Sequence, residues 1–454
     1  MSVRPVIAIF DIGKTNKKLF LFDEDYHIVY ERSVRLAEIT DEDGFPCENV
    51  HELGKLVLVE FKEASEQKEF DIKAVNFSGY GASLVYVDEK GKPLAPLYNY
   101  LKPYPEKLQE ELYSKYGGQE QFCIDTASPA LGSLNSGLQL YRIKKEQPEL
   151  FGKIKYALHL PQYISSLISG QFVNDITGIG CHTAMWDFKK NDYHQWIKQE
   201  GLTSKFPPII SAESVFENHG YKVGSGLHDS SAALIPYLVS IKEPFVLLST
   251  GTWSISLNPF DHSELTADEL NKDCLCYLQY TCKPVKASRL FAGHEHEEQV
   301  KRIAAHFNRS AGEFNTLSFN NGLIPRLQQN FKQDLNPVDF TRSSGFEQWD
   351  LTMFGNHNEA YHQLMLDLVR QQRYSTQLVL KDTRVKRLFV DGGFSHNEIY
   401  MNLLAREFPK MEVCAASVAQ ASAIGAALVI HSLWNQKSIP GDIIGLKSYS
   451  NGSH

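Results

Sequence analysis

Three short stretches of this chain combine carboxylates, hydroxyls and glycines in ways that could handle an anion. In the first, residues 7–22, an apolar run ends in Asp11, crosses a turn at Gly13-Lys14-Thr15-Asn16 and returns as a second apolar run. That pattern spells strand, turn, strand. Gly13 lets the backbone approach a ligand closely, while Thr15, Asn16, Lys17 and Lys18 crowd donors and positive charge opposite one carboxylate. Such a tip suits a phosphate beside a metal, although a plain hairpin with a polar tip accounts for the same residues. The second stretch sets His228-Asp229 between a glycine-rich approach and a helix of small residues. An acid at that corner reads alone as a helix cap, and His228 could touch a ligand or simply pack. The third, Asp391-Gly392-Gly393-Phe394-Ser395-His396-Asn397, lies between a strand and a helix. Its glycines permit close approach by a planar or phosphorylated ligand, or make an ordinary strand-to-helix turn.

Positioning these groups takes a particular set of elements. Residues 28–35 read as a third antiparallel strand, 49–67 as a helix and 72–77 as a buried strand, together a mixed sheet with helices on it. That strand runs into Ser78-Gly79-Tyr80-Gly81-Ala82, a loop of small residues placed to border a ligand. Residues 84–87 then turn at 88–92 as a hairpin would, and 97–195 read as helices separated by loops. Residues 245–257 repeat the opening design, with Ser249-Thr250-Gly251-Thr252 at the turn. Two halves on one hairpin plan imply two related domains with a cleft between them. Lys242-Glu243-Pro244 divides them into 1–242 and 243–454. In the second half, helical periodicity covers 299–307, 361–380 and 398–407, a strand covers 385–390, and a tightly packing helix of small residues covers 420–428.

A chain of 454 residues is too long for one hydrophobic core. Its 43% hydrophobic and 22% charged residues are those of an ordinary globular protein, and a formal charge of −8 argues against nucleic acid or an anionic membrane as main partner. No apolar run approaches the roughly 18 residues that span a bilayer. Seven scattered cysteines fit reduced thiols in a cytoplasmic protein better than a disulfide framework.

DIGKTNKK at 11–18, HDSSAAL at 228–234, STGTWS at 249–254 and DGGFSHN at 391–397 together resemble the FGGY family of carbohydrate kinases, within the actin-like ATPase superfamily. The likeness runs over about residues 6–430, and the layout is most similar to the rhamnulokinase and fuculokinase side. It implies an α/β chain of two ribonuclease-H-like domains, each a mixed sheet with flanking helices, that close on ATP and a sugar. By the same likeness Asp11 would hold Mg²⁺ through water. Gly13, Lys14, Thr15, Asn16 and Lys18 would face the transferring phosphate, and Thr250, Gly251 and Thr252 would form a second phosphate turn. Gly392, Gly393 and Asn397 would border the adenine and ribose. Asp229 matches the catalytic acid, and Ser78, Gly79, Tyr80, Gly81 and Ala82, with Asn99 and His228, would border the sugar. The implied activity is ATP- and Mg²⁺-dependent phosphorylation of a ketose such as rhamnulose, fuculose or xylulose, in a cytoplasmic protein with a possible homodimer. A glycerol or polyol kinase, and a catalytically impaired sugar sensor, stay open.

The sugar loop departs from those relatives. Rhamnulokinase-like chains carry Gly-Val-Asp where this one reads Gly79-Tyr80-Gly81, with no acid, and residues 98–102 lack the acid and arginine usual there. The Met-His pair of xylulokinases and the Arg-Glu pair of glycerol kinases are also missing. The chain has no G-x-x-x-x-G-K-[ST] loop, so a nucleotide must use the hairpins, and no dinucleotide fingerprint. His294-Glu295-His296-Glu297-Glu298 lacks the H-E-x-x-H spacing and reads as a solvated loop or helix start. Cys274, Cys276 and Cys282 lack a zinc spacing and read as structural thiols.

Overall fold

Strand alternation decides the layering. The computed structural model describes residues 3–331, 343–381 and 383–449. In it β1 (Arg4–Ile12) is buried on both faces. Val6, Ala8 and Phe10 enter a core shared with α1 (Val50–Ser65) and α2 (Leu160–Ser169), while Ile7 and Ile9 point the opposite way. β1 pairs antiparallel with β2 (Lys17–Asp23), which pairs antiparallel with β3 (Ile28–Val34). On its other side β1 runs parallel to β4 (Phe70–Gly79). With β5 (Val215–Asn218), β6 (Tyr221–Gly224) and β7 (Leu227–His228), the sheet takes the order β5-β6-β4-β1-β2-β3, and β7 lies beside β4.

The second half repeats this plan. β8 (Phe245–Thr250) pairs antiparallel with β9 (Ser254–Asn258). With β10 (Cys274–Leu278), β11 (Pro284–Leu290), β12 (Arg387–Gly392), β13 (Glu412–Ser417) and β14 (Gly445–Tyr449), the order is β10-β11-β9-β8-β12-β13-β14. Thus β8, like β1, has an antiparallel hairpin partner on one side and a parallel strand on the other. Val246 and Leu248 face an outer core with α4 (Ala292–Phe307), α5 (His357–Leu380) and α6 (Glu398–Glu407), whereas Phe245 and Leu247 face inward.

Between the sheets lie α3 (Asp229–Ser240) and α7 (Ala421–Leu428), whose apolar residues share one core with Ile7, Ile9, Phe245 and Leu247. Their small side chains let the two helices cross almost backbone to backbone. A Cβ on Gly425 would stand 1.8 Å from the Ala232 carbonyl oxygen. The halves also meet where the Cys276 N–H donates to the Ala127 carbonyl at 3.1 Å, and where Ile176, Ile179 and Trp186 pack on Leu278.

Four local expectations change. Ser78 and Gly79 belong to β4, in register with Asp11 and Ile12, so the loop starts at Tyr80. The strand Leu84–Val87 does turn at its own hairpin, with Asp88 N–H donating to Lys92 O at 3.0 Å, but its ladder partner is the distant strand Tyr156–His159. Residues 294–298 are the helix start expected, within α4 from Ala292, and His294, Glu297 and Glu298 are exposed, but His296 packs against Tyr361 and Phe394 and Ser344 binds Glu295, so these two are not solvated side chains. Asp229 is the first residue of α3 and does not cap it; the cap position falls on His228, which makes no side-chain capping bond. Helix starts depend on tertiary partners as much as on local residue types.

The α3–α7 crossing has a direct test. Gly425→Ala drives a methyl group into backbone, which no rotamer change relieves. The expected loss is about 3 kcal/mol, the upper end of overpacking penalties, read as a lower urea midpoint with unchanged slope.

Candidate active site

The first hairpin tip is shaped from inside. Gly13 N–H donates to Asn16 O at 2.9 Å, and buried Lys17 reaches back to the carbonyls of Gly13 (3.1 Å) and Lys14 (2.9 Å) and to Glu48 Oε1 (2.9 Å). Lys17 is therefore the lysine that holds the turn, a role its position among four polar residues did not disclose. Lys14 Nζ lies 3.3 Å from Glu38 and 3.6 Å from Glu48, Arg35 donates to Asn16 Oδ1, and Thr15 is exposed at the tip. Lys18, opposite Asp11 in the ladder, donates to Gln420 Oε1 at 3.4 Å.

The second tip is tied to the third stretch. Gly251 N–H donates to Trp253 O at 2.8 Å, closing the turn. The buried Thr250 hydroxyl donates to Asp391 O at 2.5 Å and accepts from Phe394 N–H at 3.0 Å, so it joins two loops and does not face outward. Gly392 has φ +85°, and a Cβ there would stand 1.8 Å from Thr250 O, which restricts the position to glycine. The Asp391 carboxylate accepts from Tyr237 OH (2.8 Å) and from Gly392 N–H (2.7 Å). Gly251, Gly393 and Asn397 line one cavity of about 340 Å³ with Gly293 and His296. Asn397 serves as a rigid wall: its amide donates to Tyr361 OH at 2.7 Å and its oxygen caps Tyr400 N–H at 2.9 Å. Thr252 is exposed on the turn, outside that lining.

Asp11 and Asp229 are near enough for the charge of the second to act on the first. Burial pushes the Asp11 carboxyl up to about 6, the Asp229 charge adds to the rise, and Ser422, Ser78 and Lys18 oppose it. The Ser422 hydroxyl donates to Asp11 Oδ2 at 2.9 Å. Asp229 is likewise raised to about 6 by burial, although 35% of its side-chain surface still touches the cleft. The enclosing walls withhold bulk water from a group that a single water could reach. Ser230 N–H donates to Asp229 Oδ1 at 2.6 Å, and His228 Nε2 lies 3.1 Å from the same oxygen. Burial lowers His228 to about 3, so this is a neutral imidazole and no ion pair. Asp229, Asp391, Ser249 and Ser422 share a second cavity of about 230 Å³.

The sugar-side residues divide. Gly81 packs over the His228 ring and Cys181, and Ala82 is held at φ +57°, a strained conformation for a residue with a side chain. Buried Tyr80 meets Tyr100 edge-on at 6.1 Å. Asn99 lies apart, in a small polar pocket with Glu42, Tyr98 and Lys102, and accepts from Leu101 N–H. Glu48, which takes Lys17 Nζ at 2.9 Å, lies buried near Tyr80. Glu48 and Ser422 went unnoticed in the sequence, since neither adjoins a motif.

Among the described residues no group of three His, Cys, Asp or Glu side chains could hold a metal by itself. Mg²⁺ commonly takes one or two carboxylates plus phosphate oxygens, and two carboxyls raised together by burial fit that habit. Asp11 is the residue that would hold it. All seven cysteines are free thiols, six buried and Cys282 exposed. No described helix is long and apolar enough to cross a membrane.

Two sheets of one plan, facing each other across α3 and α7 with paired acids between them, define the actin-like ATPase fold class. Family models describe the chain more narrowly: the N-terminal domain of the FGGY family of carbohydrate kinases matches residues 6–229, and the FGGY carbohydrate kinase C-terminal domain matches 242–331. The chain belongs to the FGGY family of carbohydrate kinases. It is 25% identical over 262 residues to rhamnulokinase of Halalkalibacterium halodurans, covering 54% of each chain. It is 25% identical over 271 residues to L-fuculokinase of Escherichia coli, covering 55% of this chain and 56% of that one. The chain thus spans about half the length of the curated relatives it matches. A solved carbohydrate kinase from Novosphingobium aromaticivorans superposes with a TM-score of 0.79 at 20% identity, over 99% of this chain and 95% of that one, a likeness of fold.

The raised carboxyl of Asp229 carries a stability signature. Its proton is held more tightly in the folded state, at about 6 against an ordinary 3.8, so its contribution to stability is present below 3.8 and lost as pH rises through 6. Asp229→Asn is therefore expected to raise the Tm of ligand-free protein at pH 8, with the gap to the parent closing toward pH 4. Thermal unfolding across that range measures it.

Proposed function

We propose that the chain is an ATP- and Mg²⁺-dependent carbohydrate kinase that transfers the γ-phosphate to a hydroxyl of a ketose such as rhamnulose, fuculose or xylulose. The observation that carries this reading is the facing pair Asp11 and Asp229, each raised to about 6, at one cleft between two phosphate-type hairpins. A carboxylate base works best with a pKa near the operating pH, because it must be ionised and still attract a proton. In this reading Asp229 takes the proton from the attacking sugar hydroxyl. Asp11 supports the cation, which when bound would neutralise phosphate charge. The tips at Gly13–Lys18 and Thr250–Thr252 would face the phosphates, with Thr15 and Thr252 exposed on them, and the cavity at Gly393 and Asn397 receives the nucleoside. Closure of the halves, which we divide between residues 242 and 243, would keep water from competing with the sugar.

The sugar is read as a deoxyketohexose, because the relatives at 25% identity are a rhamnulokinase and an L-fuculokinase. Glu48 beside Tyr80 would then supply the polar contact that the loop lacks. The absence of an acid from Gly79-Tyr80-Gly81 favours a second reading, a cytoplasmic sugar sensor that binds without turnover.

A coupled ADP-release assay across ketoses, aldoses and polyols separates the two. The kinase reading expects turnover with at least one ketose, an acid limb of kcat/KM near pH 6, and a loss in Asp229→Asn of about 10²- to 10⁴-fold in kcat. Calorimetric sugar binding with no ATP consumption anywhere on the panel supports the sensor instead.

A further inference from the structure

One hydrogen bond crosses the whole molecule at the centre of the cleft. Ser422, the second residue of α7, donates to Asp11 Oδ2 at 2.9 Å, although 411 residues separate the two. Asp11 is on the first sheet, whereas α7 follows the last parallel strand of the second. The hydroxyl is out of character for its helix, whose remaining residues are Ala, Ile, Gly and Leu.

Three observations make the contact a built one. α7 cannot slide along α3, because Gly425 rests on the Ala232 carbonyl. Gln420, just before α7, adopts a left-handed conformation at φ +55° and receives Lys18 Nζ, the ladder neighbour of Asp11, at 3.4 Å. Ser422 also lines the cavity that holds Asp229 and Asp391. A carboxylate near a strand end turns about its own side-chain bonds, and one that must meet a cation needs an outer partner to keep it in one orientation.

We propose that Ser422 is a positioning residue that orients the Asp11 carboxylate for a divalent cation, and that it acts through Asp11 alone. This rests on the reading of Asp11 as the metal-side acid. The two halves of the protein then contribute to one cation site without a metal ligand from the second half. Ser422 touches neither nucleotide nor sugar in this scheme; its effect passes through one oxygen of Asp11.

The test uses the full chain with Mn²⁺ and ADP, reading free Mn²⁺ by electron paramagnetic resonance, so that turnover plays no part. Ser422→Ala is expected to weaken Mn²⁺·ADP binding about ten- to a hundredfold, with Ser422→Thr close to the parent. Asp11→Asn weakens binding at least as much, and adding Ser422→Ala to it causes no further loss. Thermal unfolding checks that each variant is folded. Ser422→Cys, similar in size but a weak donor, gives the same loss if the alanine variant does not fold. Unchanged binding in folded Ser422→Ala beside a weakened Asp11→Asn overturns the proposal and leaves Asp11 in its role. Additive losses in the double variant also overturn it. Unchanged binding in Asp11→Asn removes the metal-side reading itself, and the proposal with it.

Discussion

The constraint on which the cleft rests is the backbone-to-backbone approach of α3 to α7, where Gly425 lies against Ala232. Everything at the cleft depends on this crossing. α3 carries Asp229 on its first turn, and α7 carries Ser422 on its own. Because the helices touch through backbone, they form a stiff pair, and each sheet packs its inward residues on it. The positions of Asp229 and Ser422 therefore do not depend on long side chains, which would spread them over several rotamers.

That stiff frame holds two acids in an unfavourable place. Both Asp11 and Asp229 lose hydration to the cleft walls, and the Asp229 charge makes Asp11 harder still to ionise. A protein gains nothing in stability from such a pair, whereas a polar or cationic ligand entering between them gains a great deal. The strained backbone at Ala82 and Gln420 borders the same region, again an arrangement that packing tolerates more than it favours.

Local pattern was a good guide wherever a residue's role follows from its neighbours in the chain. The two hairpins, the parallel strands after them and the helix over 398–407 were legible, because alternation and turn residues are short-range signals. The failures have a common cause. What local pattern could not show was which partners Thr250 and Asn397 bind, since those come from distant strands and helices. Leu84–Val87 forms its hairpin turn, but the ladder it makes with the distant strand Tyr156–His159 had no local signal. Asn99 adjoined the sugar loop in pattern and lies in another pocket.

By itself the sequence determined the repeated hairpin plan, the family resemblance and the two acids, since all three are written in residue types at short spacing. Only the tertiary structure decided what surrounds those acids: that Lys17 and not Lys14 holds the first tip, that Glu48 pairs with Lys17 beside Tyr80, and that Ser422 grips Asp11 across 411 residues. Each of these is a meeting of side chains from remote segments. Such a meeting is set by helix crossing and sheet register, which chain proximity does not encode.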